Sequence, residues 1–300
     1  MHPILFQFEF AGFHIVVGSY ATFMTLAWLA MAGIGVVACG ARGMSRRRAF
    51  ALFAGSLAAG VVGARLLDLV LAPSLYAENP ARLWSLSFQG FSLYGGLVLG
   101  ALAAIVLARV LALPLWRAAD SAVPALAVGI TLMRVGCFLR GCCFGVPTTL
   151  PWGVTFPPGS AAWAEQLAAG RTGLLGVAGG VLPVHPTQLY ELAAALVLGG
   201  AAVWLGRRAR TPDGVAFLAF AFGFTVFRVA NGFLRAPQSG PGAPAWLYPL
   251  LYGAILAATL ALLGARLGAG AERTQWRSAR RFAAEPPPLP WEADANGSRP

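Results

Sequence analysis

Seven stretches of about 20 predominantly apolar residues, each long enough to cross the hydrocarbon core of a bilayer, set what this chain can become. Hydropathy places them over 16–37, 50–71, 91–111, 120–138, 187–205, 214–231 and 245–267. No water reaches that depth to satisfy peptide groups, so each stretch must be a helix. The expected class is an all-α integral membrane protein of about seven transmembrane helices. The loop 139–186, between the fourth and fifth spans, is too long for a simple connector and is expected to fold as a small external cap. The membrane domain is expected over 1–271. A proline-rich polar tail, 272–300, is expected to be disordered. The first segment has neither a basic start nor a small-residue cleavage site, so no removable signal peptide is expected.

A net charge of +11, carried by arginine with no lysine, raises the question of nucleic acid. The distribution excludes it, because the arginines fall in clusters between apolar runs and form no stripe on a polar domain. Every second connection is arginine-rich: Arg42 with Arg46, Arg47 and Arg48; Arg109 with Arg117; Arg207, Arg208 and Arg210; and the tail. Under the positive-inside rule these connections are cytoplasmic, which puts the N-terminus and the 139–186 loop outside and the C-terminus inside.

Charges inside the spans each cost about 2.5–3.5 kcal/mol on insertion scales, so each needs a partner or a purpose. Arg65 and Asp68 are three apart on one helix and can pair. Asp120 reads as a helix cap at the cytoplasmic surface. Arg134 and Arg228 have no acid at helical spacing, and both fall toward the outer leaflet. Their planar forks match phosphate oxygens, so two of them can hold a phospholipid headgroup.

The run 133–145, MRVGCFLRGCCFG, resembles the GRxGNFxNGExxG motif of the prolipoprotein diacylglyceryl transferases. GARLLDLV at 63–70, FSLYGGLVLG at 91–100, HPTQLYE at 185–191 and FRVANGFLR at 227–235 resemble that family's other blocks in the same order, and Tyr20 lies where its first-span tyrosine would. The likeness covers about 15–268. It implies an enzyme of the bacterial inner membrane, with the N-terminus and cap periplasmic. The implied reaction moves the diacylglyceryl group of phosphatidylglycerol to the lipobox cysteine of a prolipoprotein, forming a thioether and releasing glycerol phosphate. Phosphatidylglycerol, the lipobox peptide and membrane lipids are then the partners. No cofactor, metal or nucleic acid is expected.

Carried over by position, Arg134 and Arg228 match the family's two key arginines and are expected to be catalytic, stabilising the departing phosphate and lowering the pKa of a nearby thiol. Tyr94 stands where the family has histidine, and a phenol is a poor base at neutral pH. His185 is a candidate replacement base, set against an interfacial histidine with no chemical role. Expected to bind substrate are Tyr20, Arg65, Gly95, Gly96, Gly136, Cys137, Gly141, Gly145, Gln188, Tyr190, Glu191 and Arg235. For the glycines, a phosphate cradle and tight helix packing both remain open. Further departures are Cys137 and Arg140 for the motif asparagines, Cys142 for its glutamate and Gly232 for the sixth-span glutamate. They leave open a related transferase with another acceptor, or a lipid-binding or transport protein without chemistry. Cys137, Cys142 and Cys143 show no CxxC pair or histidine cluster, so a disulfide from Cys137 to a later cysteine is favoured over zinc.

Overall fold

The computed structural model describes residues 4–10, 13–84, 93–170, 181–208, 211–236 and 246–284. Among the described residues, nine α-helices follow an N-terminal hairpin: α1 Ser19–Ala41, α2 Arg46–Leu71, α3 Pro73–Glu78, α4 Leu93–Val110, α5 Leu115–Arg140, α6 Ala161–Ala168, α7 Thr187–Gly206, α8 Val215–Gly232 and α9 Leu247–Ala284. Six of these are long and apolar enough to span a membrane, and Tyr94–Val110 of α4 forms a shorter apolar helix. The starts of the third and seventh expected spans, 91–92 and 245, lie outside the described residues. The tail expected from Glu272 is helical as far as Ala284, and 285–300 also lies outside them.

One element escaped the hydropathy reading. Ile4–Phe10 and Phe13–Gly18 pair as an antiparallel hairpin, so the first helix begins at Ser19 and not at Val16, and the chain is not purely α. The FHIVVG segment is β-branched and apolar, and on hydropathy alone it merges with the helix that follows.

The helices pack in a chain of neighbours: α4 on α2, α2 on α1, α1 on α5, α5 on α7, α7 on α8 and α8 on α9. A Tyr94–Tyr252 hydrogen bond of 2.5 Å joins the two outermost members, α4 and α9, so polar side chains of several helices meet within the bundle. Small residues let α2 and α4 approach closely. A Cβ on Gly95 would stand 2.2 Å from the Gly63 carbonyl oxygen, and one on Gly96 3.0 Å from that of Gly60. Gly95 and Gly96 thus serve backbone contact between helices.

At the arginine-rich end, Asp120 does not cap its own helix. Buried on α5, it accepts the backbone N–H of Gly214 at 2.8 Å and of Phe217 at 2.9 Å, capping α8 from outside, with Arg42 at 3.5 Å. A carboxylate there meets both orphan donors and the positive end of the helix dipole. Asp120→Ala is expected to cost about 3 kcal/mol, because it strands buried N–H groups as well as a cation. Thermal unfolding of the detergent-solubilised protein reads this, and an unshifted midpoint would refute it.

At the opposite end, Gly141 terminates α5 at φ 74°, a left-handed turn that favours glycine. The chain then folds over α5 and α7. Phe144, Phe156, Ala162 and Val184 form a small apolar core with Ala236, and short bridges join Val154 to Val184 and Gly145 to Arg235.

Candidate active site

The fifth expected span supplies the centre of the site. Glu191 lies one turn into α7 with 1% of its side chain exposed, and three arginines converge on it from α5, α8 and the segment that follows α8. Arg134 of α5 reaches Oε2 through Nη2 at 2.5 Å, Arg228 of α8 donates to Oε1, and Arg235, just beyond α8, reaches Oε1 at 3.3 Å. Asn231 donates to the same Oε1 at 3.1 Å. Arg134 and Arg228 are therefore paired, contrary to the sequence expectation. Their acid comes from another helix, which spacing along a single helix does not reveal.

Three guanidinium groups around one carboxylate leave an excess of two positive charges in a largely water-free place. Such an excess calls for an anion. Besides Glu191 Oε2, which Arg134 meets as an ion pair, three buried polar atoms nearby, Arg134 Nε, Gln188 Oε1 and Asn231 Oδ1, have no hydrogen-bond partner among the described residues. One is a donor and two are acceptors, so a ligand carrying both anionic oxygens and hydroxyls complements them.

The network extends to a residue that no sequence motif singles out. Tyr252 of α9 accepts from Arg228 Nη2 at 3.3 Å and from Tyr94 at 2.5 Å, and the two rings meet edge to face. Tyr94 is thereby tied to the arginine cluster through Tyr252. His185 is held elsewhere: its Nδ1 lies 3.2 Å from the Tyr190 hydroxyl, which accepts from Trp152 at 2.7 Å. His185 and Tyr190 thus meet each other and Trp152 of the loop.

The other expected residues divide by helix. Tyr20 lies under the Arg140 guanidinium, 5.2 Å from its ring centre, and a Cβ on Gly136 would press on Phe23 of α1 at 2.8 Å. Gly136 therefore serves the α1–α5 contact. Gly145 is as tight, with Leu234 O 2.5 Å from where its Cβ would stand. Arg65 is buried on α2, and Asp68 accepts from the Tyr76 hydroxyl at 2.5 Å.

The cysteines are free, and the favoured disulfide is not formed. The sulfurs of Cys137, Cys142 and Cys143 lie within 4.8 Å of one another. Arg134 Nη1 approaches the Cys137 sulfur at 3.7 Å. Two buried side chains of α7 clamp the turn, with Thr187 donating to Cys143 O and Gln188 to Cys142 O, both at 2.7 Å. Hydrogen bonds from the Cys137 and Cys142 thiols hold the Cys143 thiol well below its ordinary range, and bonds to Cys137 and Cys143 raise that of Cys142.

A profile of the family described as prolipoprotein diacylglyceryl transferase matches residues 3–269. The phosphatidylglycerol–prolipoprotein diacylglyceryl transferase of Geobacter sulfurreducens is 34% identical over 216 residues, covering 70% of this chain and 73% of its own. That of Clostridium tetani is 27% identical over 80% of this chain and 88% of its own, and that of Cupriavidus pinatubonensis 32% identical over 73% and 72%.

Proposed function

Because the chain belongs to the prolipoprotein diacylglyceryl transferase family, we propose that its arginine cluster grips the phosphate of phosphatidylglycerol while the diacylglyceryl group passes to a prolipoprotein. The protein is a membrane transferase of lipoprotein biosynthesis. The single observation that carries the site assignment is the convergence of Arg134, Arg228 and Arg235 on one buried carboxylate, with positive charge left over.

In this reading the thiolate of the lipobox cysteine attacks the glyceryl carbon bearing the phosphate ester, and the C–O bond breaks. The leaving glycerol phosphate gains negative charge as it departs, so fixed guanidinium groups favour the transition state over the ground state. Arg134 Nε is aimed at a phosphate oxygen. Gln188 Oε1 and Asn231 Oδ1 accept from the hydroxyls of the headgroup glycerol, which gives a physical reason for preferring phosphatidylglycerol to a headgroup without them. Glu191 holds the forks in place and is a positioning residue.

The topology that accompanies this reading has seven spans, with α4 as the third. The arginine-rich connections lie in the cytoplasm, and the 139–186 loop forms a periplasmic cap that receives the peptide. A fluorescent protein fused after the C-terminus should fluoresce, since it matures in the cytoplasm; a dark but intact fusion would invert the topology.

The transferase reading is tested with purified protein, phosphatidylglycerol and a lipobox peptide. The expected result is a diacylglyceryl mass gain on the peptide cysteine with equimolar glycerol phosphate. Glycerol phosphate release with an unmodified peptide would point to another acceptor, and release of neither product would reject the reading.

A further inference from the structure

Resting on the transferase reading, we propose that Cys137, Cys142 and Cys143 form a three-thiolate zinc site whose fourth position takes the acceptor thiol. Sulfurs bound to one tetrahedral zinc, with bonds of about 2.3 Å, stand about 3.8 Å apart. The three sulfurs lie within 4.8 Å of one another, so closing on a metal requires movements of about 1 Å.

Sequence spacing hides this arrangement because two backbone conformations create it. Gly141 turns the chain at φ 74°, and Cys143 adopts φ 62°, a region that costs a residue with a Cβ about 1–2 kcal/mol. A free thiol buried for packing has no need of that conformation. The turn is also fixed from behind by Thr187 and Gln188, which are fully buried and bonded to the Cys143 and Cys142 carbonyls. Ligand-bearing backbone held by a rigid outer layer is what a metal site requires.

Charge and composition agree. Three thiolates and one zinc ion carry a net charge of −1, and Arg134 lies beside Cys137 to offset it. Three protein ligands with one open position is the arrangement of catalytic zinc, whereas structural sites are closed by four. A disulfide would join two of the sulfurs and leave the third unexplained.

The open position supplies what Tyr94 cannot. A thiol that coordinates zinc is deprotonated outright, so no side-chain base is needed. On binding, the acceptor thiol loses its proton to water. Its sulfur then forms the C–S bond to the glyceryl carbon as the C–O bond to phosphate breaks, and that electron pair leaves with glycerol phosphate. The thioether product has no charge to hold it on the metal and is released.

The full-length protein, purified with a phosphine reductant and titrated with Co(II), tests this without an activity readout. About one cobalt per chain should bind, with a thiolate-to-cobalt charge-transfer absorption that Cys137→Ser, Cys142→Ser or Cys143→Ser each diminishes. A lipobox peptide should intensify that absorption, and the same peptide with serine for cysteine should not. Equal cobalt binding by wild type and the triple serine variant would overturn the site, and indifference to the peptide thiol would overturn its role toward the acceptor. The expected cobalt spectrum in the Co(II)-loaded protein, with no transfer from phosphatidylglycerol by the zinc-loaded protein, would instead count against the transferase reading alone.

Discussion

Arg134→Ala and Arg228→Ala are each expected to lower turnover about a thousandfold or more while the protein still inserts and folds. Removing one preorganised donor from a charge-developing oxygen costs a factor of about 10²–10³, and a guanidinium acting on a phosphoryl group in a dry site reaches about 10³–10⁵. The fold survives because Glu191 keeps two other guanidinium partners in either variant. Arg134→Lys should recover only part of the loss, since a point charge cannot reproduce the fork that spans both Glu191 and the ligand. Steady-state transfer rates measured alongside unfolding midpoints separate the two effects. Unchanged turnover in either alanine variant would discard the electrostatic role.

Glu191→Gln is expected to show the reverse balance, with a large loss of stability. The amide leaves three guanidinium groups facing one another, with side-chain exposures of 7%, 13% and 19%. Stranding a buried charge in this way costs about 3–5 kcal/mol. For a chain of this size that lowers the unfolding midpoint by about 10 °C. An added anion should return part of the loss, so phosphatidylglycerol should stabilise the variant more than it stabilises the wild type. A midpoint within a degree or two of wild type would show that the carboxylate does not hold the cluster.

How much of this was legible beforehand follows from the range of each interaction. Helices α2, α4, α5, α7 and α8 start and stop within about five residues of the hydropathy expectation, because about 20 apolar residues in lipid leave the backbone no other solution. The hairpin over Ile4–Gly18 was not legible, since FHIVVG is as apolar as the span it precedes. Arg134 and Arg228 could be identified as costly charges, yet their partner could not, because Glu191 meets them only after α5, α7 and α8 have packed. Asp120 is a cap as the sequence suggests, but of another helix, for the same reason: its donors lie at the start of α8. Tyr252 belongs to none of the motif blocks, and only the α4–α9 contact reveals it.

The glycines show a different limit. Their spacing fits both a phosphate cradle and close helix packing, and coordinates were needed to place Gly95, Gly96 and Gly136 in packing. For the cysteines the limit is conformational. A linear spacing of CxxxxCC does not show that two left-handed residues bring its sulfurs within 4.8 Å of one another with no disulfide between them.

Retention of phosphatidylglycerol by the purified protein, followed by native mass spectrometry, measures the lipid grip without the chemistry. Wild type should keep one phosphatidylglycerol in preference to phosphatidylethanolamine, and the Arg134→Ala, Arg228→Ala double variant should bind it at least about tenfold more weakly, since each lost charge-assisted contact is worth about 1.5–3 kcal/mol. Equal retention by the two proteins would contradict a phosphate held by these arginines.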